Sequence, residues 1–465
     1  MRRGPGALLA GLAVAGLVAA PGVAGDRSIT GTISEQVIAD SNVQLESGGD
    51  PSIGSITTLS LAYVDRMPSS TLSLGTGFNF AVFSEEQNDN ISGLFPRLNG
   101  AYSVRRPTQS LSINFNGSVT PVDFLQNTGI ILPGAPDAPE APTVDDDDPD
   151  APDDAPDVDP VETVNDRIAE RDALRVSLGA GASWSQTINS AESVNLGANF
   201  GLTEFIDGGP SLVPNTRFGV DAGWSRRVAA DATAGVSTGA SLFLSGGDEN
   251  RRTFTVRLGP TASWDRTARE RLSISIGPSF NHSTFDRQLA GGGTISETET
   301  DVSLSGNAAF SFAGDVDSLN VNLSQSVLPD DDGAIVNTTS LTVGWGRRLS
   351  QAARLNWTGG AVFRTDAFGG GGGGGFEDRL DYRTRLGWSY RVNPRHSGNL
   401  SLLASRDDDG AGAEEIVVGA GAGWSYALAP RTNANLGYDV RYETEDELVS
   451  HRVGLTLSHG FTLLP

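Results

Sequence analysis

The sequence predicts an all-β fold: a single transmembrane antiparallel up-and-down barrel of about 20 strands, with 18 to 22 as the bounds. Three observations carry this. Long segments alternate apolar and polar residues with period two, an aromatic residue recurs about every forty residues just before a short polar turn, and nothing past residue 25 is apolar for long enough to cross a bilayer as a helix. Composition removes other classes. The 465 residues include 33 basic side chains, all of them Arg, against 57 acidic ones, a net charge of −24; glycine is abundant at 58 and cysteine is absent. Without cysteine there is no disulfide scaffold, no thiolate-bound zinc and no thiol catalysis. The acidic balance argues against a nucleic-acid partner, which needs a basic face.

Residues 1–25 read as a signal peptide. Arg2 and Arg3 form a positive start, Ala7 to Ala20 an apolar run, and Gly22-Val23-Ala24 a small-residue cleavage site. The run is 14 residues, short of the roughly 20 a spanning helix needs. The exported chain, 26–465, is then the barrel.

Period two is plainest in four segments. Phe254, Val256, Leu258, Pro260, Ala262 and Trp264 alternate with Thr253, Thr255, Arg257, Gly259, Thr261 and Ser263. Leu272 to Phe280, Val194 to Leu202 and Ala434 to Tyr442 repeat the pattern against Ser, Gly, Asn and Thr. Successive strand residues point to opposite faces, so each segment has one apolar and one polar side. Lengths of about 10 to 13 residues suit a tilted strand crossing a membrane better than a soluble sheet.

The larger repeat is aromatic. Trp184, Trp224, Trp264, Trp345, Trp388 and Trp424 each end a strand and lead into a short polar turn, with Tyr63 and Tyr102 in the same position upstream and Phe312 dividing the long gap after Trp264. Opposite these turns lie longer, acidic or Gly-rich loops, including Asp330-Asp331-Asp332, the glycine run 369–375 and Asp407-Asp408-Asp409. Short turns in the periplasm and long loops outside are the asymmetry of an outer-membrane barrel. The Trp and Tyr row is the expected membrane-interface girdle at the short-turn end. Phe78, Phe80, Phe200, Phe205, Phe243, Phe280, Phe285 and Phe363 are expected to form a second girdle near the long loops. The competing reading is a soluble sandwich or adhesin with these aromatics in its core. It leaves the small apolar face without a partner and a long sheet with sticky edges, both of which a closed barrel in lipid removes. Nine turns give 18 strands; an opening strand at 28–39 and a closing strand at 450–461 bring the total to 20.

Pro133 to Glu162 departs from the pattern, with 12 acidic residues and 8 prolines around Asp145-Asp146-Asp147-Asp148. It cannot bury apolar area and repels itself, so it is expected to be a disordered loop on the long-loop side. Arg105, Arg106, Arg226, Arg227, Arg347 and Arg348 sit in or beside the short turns, where they can snorkel toward headgroup phosphate. On the polar face itself lie Arg217, Asp221, Arg257, Asp381, Arg383, Arg385, Asp439 and Arg441. These are lumen-charge candidates with two open readings: rings that set ion selectivity, or structural ion pairs. No catalytic, cofactor-binding or metal residues are assigned, since His282, His396, His451 and His459 are scattered and no nucleophile elbow or phosphate loop occurs.

The chain resembles bacterial outer-membrane β-barrel porins over most of its mature length. Its opening Ile38-Ala39-Asp40-Ser41-Asn42-Val43, followed by hairpins, is similar to a porin group linked to exopolysaccharide export. The closing strand, ending His459-Gly460-Phe461, resembles the terminal strand that barrel-assembly machinery recognises, although Thr462 to Pro465 follow the Phe. The resemblance implies a channel in the outer membrane passing hydrophilic solutes or polysaccharide, with outer-membrane lipid and lipopolysaccharide, the assembly machinery and exopolysaccharide-export components as partners and no cofactor. The alternative is a non-conducting surface barrel, an adhesin or assembly platform.

Overall fold

The computed structural model describes residues 26–41, 51–84, 93–121, 173–206, 213–246, 250–288, 294–329, 335–366, 379–408, 414–444 and 447–464. The signal segment and the acidic stretch 133–162 lie outside the described residues. The strands in chain order are β1 (Asp26–Asp40), β2 (Ser52–Met67), β3 (Ser70–Phe83), β4 (Gly93–Arg106), β5 (Gln109–Pro121), β6 (Leu174–Asn189), β7 (Glu192–Ile206), β8 (Asn215–Ala229), β9 (Ala232–Ser245), β10 (Arg251–Thr267), β11 (Glu270–Gln288), β12 (Thr294–Ala313), β13 (Asp317–Pro329), β14 (Ile335–Arg348), β15 (Ala353–Asp366), β16 (Arg379–Asn393), β17 (His396–Asp408), β18 (Glu414–Ala429), β19 (Thr432–Glu443) and β20 (Leu448–Leu464).

Each strand pairs antiparallel with its neighbours in sequence, and β1 pairs with β20 from Ile29↔Leu464 to Asp40↔Arg452. The sheet therefore closes on itself and leaves no edge, which in hydrocarbon is the only way a sheet can satisfy all its backbone groups. Short turns join β2 to β3, β4 to β5 and the later even–odd pairs, and both ends of the sheet lie on that same side. The strands run from 12 to 20 residues, longer than the 10 to 13 expected. The excess is greatest in β11 and β12, where Ser296 to Asp301 is polar on both faces. That stretch projects past the apolar belt, so belt height does not limit its length.

The register sorts every side chain. The apolar sets of all four segments quoted above face outward, where Leu258 is 55% and Leu436 52% exposed, as lipid-contacting residues must be in a chain viewed without its bilayer. Tyr63, Tyr102, Trp184, Trp224, Trp264, Trp345, Trp388 and Trp424 all lie outward near the short turns. The second aromatic row needs correction. Phe78, Phe80, Phe200, Phe280 and Phe363 face outward, but Phe205, Phe243 and Phe285 face inward. Phe205 is an odd number of positions from Phe200, and the period-two rule then puts them on opposite faces. Phe285 is buried beneath the Arg251 guanidinium, 4.6 Å from its ring centroid.

One outward side chain breaks the apolar belt. Glu35 lies between Ile33 and Val37 on β1 and accepts hydrogen bonds from the hydroxyls of Ser55 and, at 2.5 Å, Thr57 on β2. Two donors offset part of the cost of a carboxylate facing lipid but leave its outer side unpaired. Glu35→Leu is expected to raise unfolding stability in liposomes by about 1–2 kcal/mol in urea titrations. A loss of stability would mean that the carboxylate has a partner in the membrane.

Candidate functional site: the inner wall

Around the wall, small inward residues lie opposite amides and carboxylates in register. Asn99 faces Gly75, Asn114 Gly181, Asn116 Gly179, Asn195 Gly223, Asn199 Gly219 and Asn399 Gly423; Asp221 faces Gly197 and Asp439 Gly421. In each of the eight pairs a Cβ added to the glycine would sit only 2.3 to 2.4 Å from the partner's Oδ1. The amide or carboxylate therefore lies flat over its glycine along the wall instead of projecting into the lumen. Between these pairs run cross-strand hydroxyl contacts at 2.6 to 2.7 Å, Ser110 with Ser185, Ser193 with Ser225, Thr233 with Ser263 and Ser324 with Ser340. The wall so built is thin, hydroxyl- and amide-rich and mostly neutral.

Toward the long-loop end the inner face changes. Ile38, Ile56, Ala81 and Phe95 pack into a buried apolar cluster across β1 to β4, and Ser279, Asn281 and Ser283 on β11 are fully buried, with Asn281 donating to Ser303 at 3.1 Å. Neither feature was visible in the alternation pattern. Inward apolar residues on β1 to β4 read as noise in a polar register, and burial of a polar residue has no local signature.

All eight lumen-charge candidates face inward, and the structure divides them. Asp381 is held by Arg364 in an ion pair with both side chains only 8% exposed. Arg452, which the sequence did not single out, pairs with Asp40 at 2.6 Å, and Ser450 donates to the same carboxylate at 2.7 Å. These four charges are structural. Arg217, Asp221, Arg257, Arg383, Arg385, Asp439 and Arg441 make no ion pair among the described residues, and Arg217, Arg257, Arg383 and Arg385 are exposed to the lumen. They lie three to seven residues beyond the Trp row along their strands, at the waist of the apolar belt.

The short-turn arginines engage their neighbours. Arg226 lies 3.8 Å from Glu192, Arg347 lies 3.7 Å from Asp317, and Arg348 donates to the Asp315 carbonyl. Arg106, Arg226 and Arg347 are on the outer face, Arg105, Arg227 and Arg348 on the inner, so at most half of them point toward headgroups. The histidines remain apart: His459 contacts Thr432, His451 contacts Tyr438, His282 contacts Thr300, and His396 stacks on Tyr426. Among the described residues no group of His, Asp and Glu is arranged to hold a metal.

Solved structures share this fold. The siderophore receptor PiuA from Acinetobacter baumannii superposes with a TM-score of 0.52 at 7% identity, over 93% of this chain and 82% of that one. The FrpB iron transporter from Neisseria meningitidis gives 0.51 at 7% identity, over 94% and 83%. The copper transporter OprC gives 0.51 at 10% identity, over 95% and 82%. The fold is theirs: a closed transmembrane β-barrel. No protein-family model and no curated protein sequence matches this chain.

Proposed function

We propose that the chain is an outer-membrane channel through which small hydrophilic solutes cross passively, down their gradients. The observation that carries this reading is the inner wall. Eight amides and carboxylates folded flat over glycines leave the wall of a 20-strand barrel thin and polar, with arginines as the long side chains that enter the lumen, and a sheet of this strand number encloses an aqueous bore unless something fills it. The hydroxyl and amide lining also suits a neutral polysaccharide, which would connect the channel to exopolysaccharide export. In this reading the short turns and both termini are periplasmic, the barrel meets lipopolysaccharide on its long-loop side, and the assembly machinery inserts it. A second reading, a non-conducting surface barrel, draws on the buried inner residues of β11 and the apolar cluster of β1 to β4, which narrow the long-loop half. Reconstitution of the refolded, heat-modifiable protein in planar bilayers separates the two. Discrete current steps are expected for the channel; a silent bilayer with folded protein would favour the platform.

A further inference from the structure

The chain as a whole is strongly acidic, at −24, yet the waist of its inner face is basic. Arg97, Arg217, Arg257, Arg383, Arg385 and Arg441 outnumber the acids there: Asp221 and Asp439 make no ion pair among the described residues, Asp381 and Asp40 are held by Arg364 and Arg452, and Glu443 lies two residues beyond Arg441 on the same face. Of the six arginines, Arg97 donates to Asn79 at 2.8 Å; three of the rest converge on one sector.

That sector is a trough on β18. Its inward positions are Gly419, Gly421 and Gly423, which give a floor without side chains. Arg383 and Arg385 rise from β16 on one side, beyond Ser401, Leu403 and Ser405 of β17, and Asp439 and Arg441 rise from β19 on the other. The glycines let the two sides approach. A Cβ on Gly421 would sit 2.3 Å from Asp439 Oδ1 and 2.9 Å from Ser401 Oγ, and one on Gly419 would touch both Arg441 Cγ and Leu403 Cβ at 3.7 Å. Arg441 is within electrostatic reach of two like charges, Arg383 and Arg452, and Arg385 is within reach of Asp439. Asp439 and Asp40 both act on Arg441 as counter-charges, but Asp40 is engaged by Arg452, so the three arginines outnumber the carboxylates left to them. Like charges in excess of their counter-charges on a water-facing wall attract an anion, and guanidinium is the cation whose geometry matches oxyanions.

We infer that the β16–β19 trough is an oxyanion-binding station at the channel waist, which makes the pore select anionic solutes carrying carboxylate or phosphate over cations in spite of the protein's net charge. The inference rests on the channel reading. Charge on the lumen wall sets selectivity because the field of nearby fixed charges outweighs that of distant loops across a Debye length of about 8 Å at physiological salt.

The test is the reversal potential in a potassium chloride gradient across a planar bilayer, followed by addition of citrate as the probe. For the natural chain the permeability ratio of chloride to potassium is expected above one, and millimolar citrate is expected to reduce the current through the open pore. In the variant R383Q/R385Q/R441Q the ratio is expected to fall at least about threefold and the citrate block to disappear, while R383K/R385K/R441K keeps the ratio and weakens the block, since ammonium retains charge but not the bidentate fork. Current steps with cation preference, or a triple glutamine variant indistinguishable from the natural chain, overturn the inference and leave the channel intact. No current steps at all, from protein that folds, overturns the channel and the inference with it.

Discussion

Leu402→Arg is expected to cost about 2–4 kcal/mol of folding stability in liposomes, and Leu403→Arg, one residue along, less than about 1 kcal/mol. The two side chains start identical and differ only in the face they occupy. Leu402 points outward, 57% exposed among Leu386, Leu400 and Ala420 at mid-belt. Leu403 points inward, between Arg385 on β16 and Gly419 on β18. An arginine in place of Leu402 must either stay in hydrocarbon or distort the bilayer to reach water, whereas in place of Leu403 it is hydrated by the lumen and only repelled by Arg385 across a high dielectric. Urea unfolding of both variants in defined-chain vesicles gives the comparison directly. Equal costs would mean that the two faces share one solvent, which no transmembrane barrel allows.

Asp40→Ala is the second large effect. Asp40 is 4% exposed and receives Arg452 and Ser450 from the far end of the chain, across residue separations of 412 and 410. This ion pair sits on the β1–β20 seam, where first and last strands close the barrel. Removing one partner of a buried pair leaves an uncompensated charge, here Arg452, and costs about 3–5 kcal/mol. The loss is expected to appear as a lower urea midpoint and a weakened heat-modifiable band. The double variant Asp40→Ala with Arg452→Met should recover much of it, because no buried charge then lacks its counter-ion. If the single variant unfolds like the natural chain, the seam is held by backbone pairing alone.

The extent to which this architecture can be read from sequence follows from what is local. Period two and the Trp and Tyr row are local features, and they place the twenty strands, the nine short turns and the outward set. The Asn-over-Gly wall is half visible: Asn195-Leu196-Gly197-Ala198-Asn199-Phe200-Gly201 alternates amide and glycine on one face, but that the amides lie across the neighbouring strand's glycines depends on register. Long-range partners leave no local trace. Arg452 is unremarkable until β20 meets β1, and Asp381 looks like a pore charge until Arg364 is found beside it. Position along a strand was also a poorer guide than parity, which is why Phe205, Phe243 and Phe285 appeared to belong to a girdle they do not face. Glu35, a single polar residue in an apolar row, has no pattern of its own.

Alternate residues of each strand meet two solvents, lipid outside and water within. The chain has no cysteine, so single cysteines can be placed at each position from Asn399 to Ser405 on β17 without background. Reaction of these variants in proteoliposomes with a charged, membrane-impermeant thiol reagent tests the claim most directly. Cysteines at 399 and 403 are expected to react, those at 401 and 405, where the serines are buried, more slowly, and those at 400, 402 and 404 to stay protected until detergent is added. Uniform labelling along the strand, or protection with the opposite parity, would contradict it.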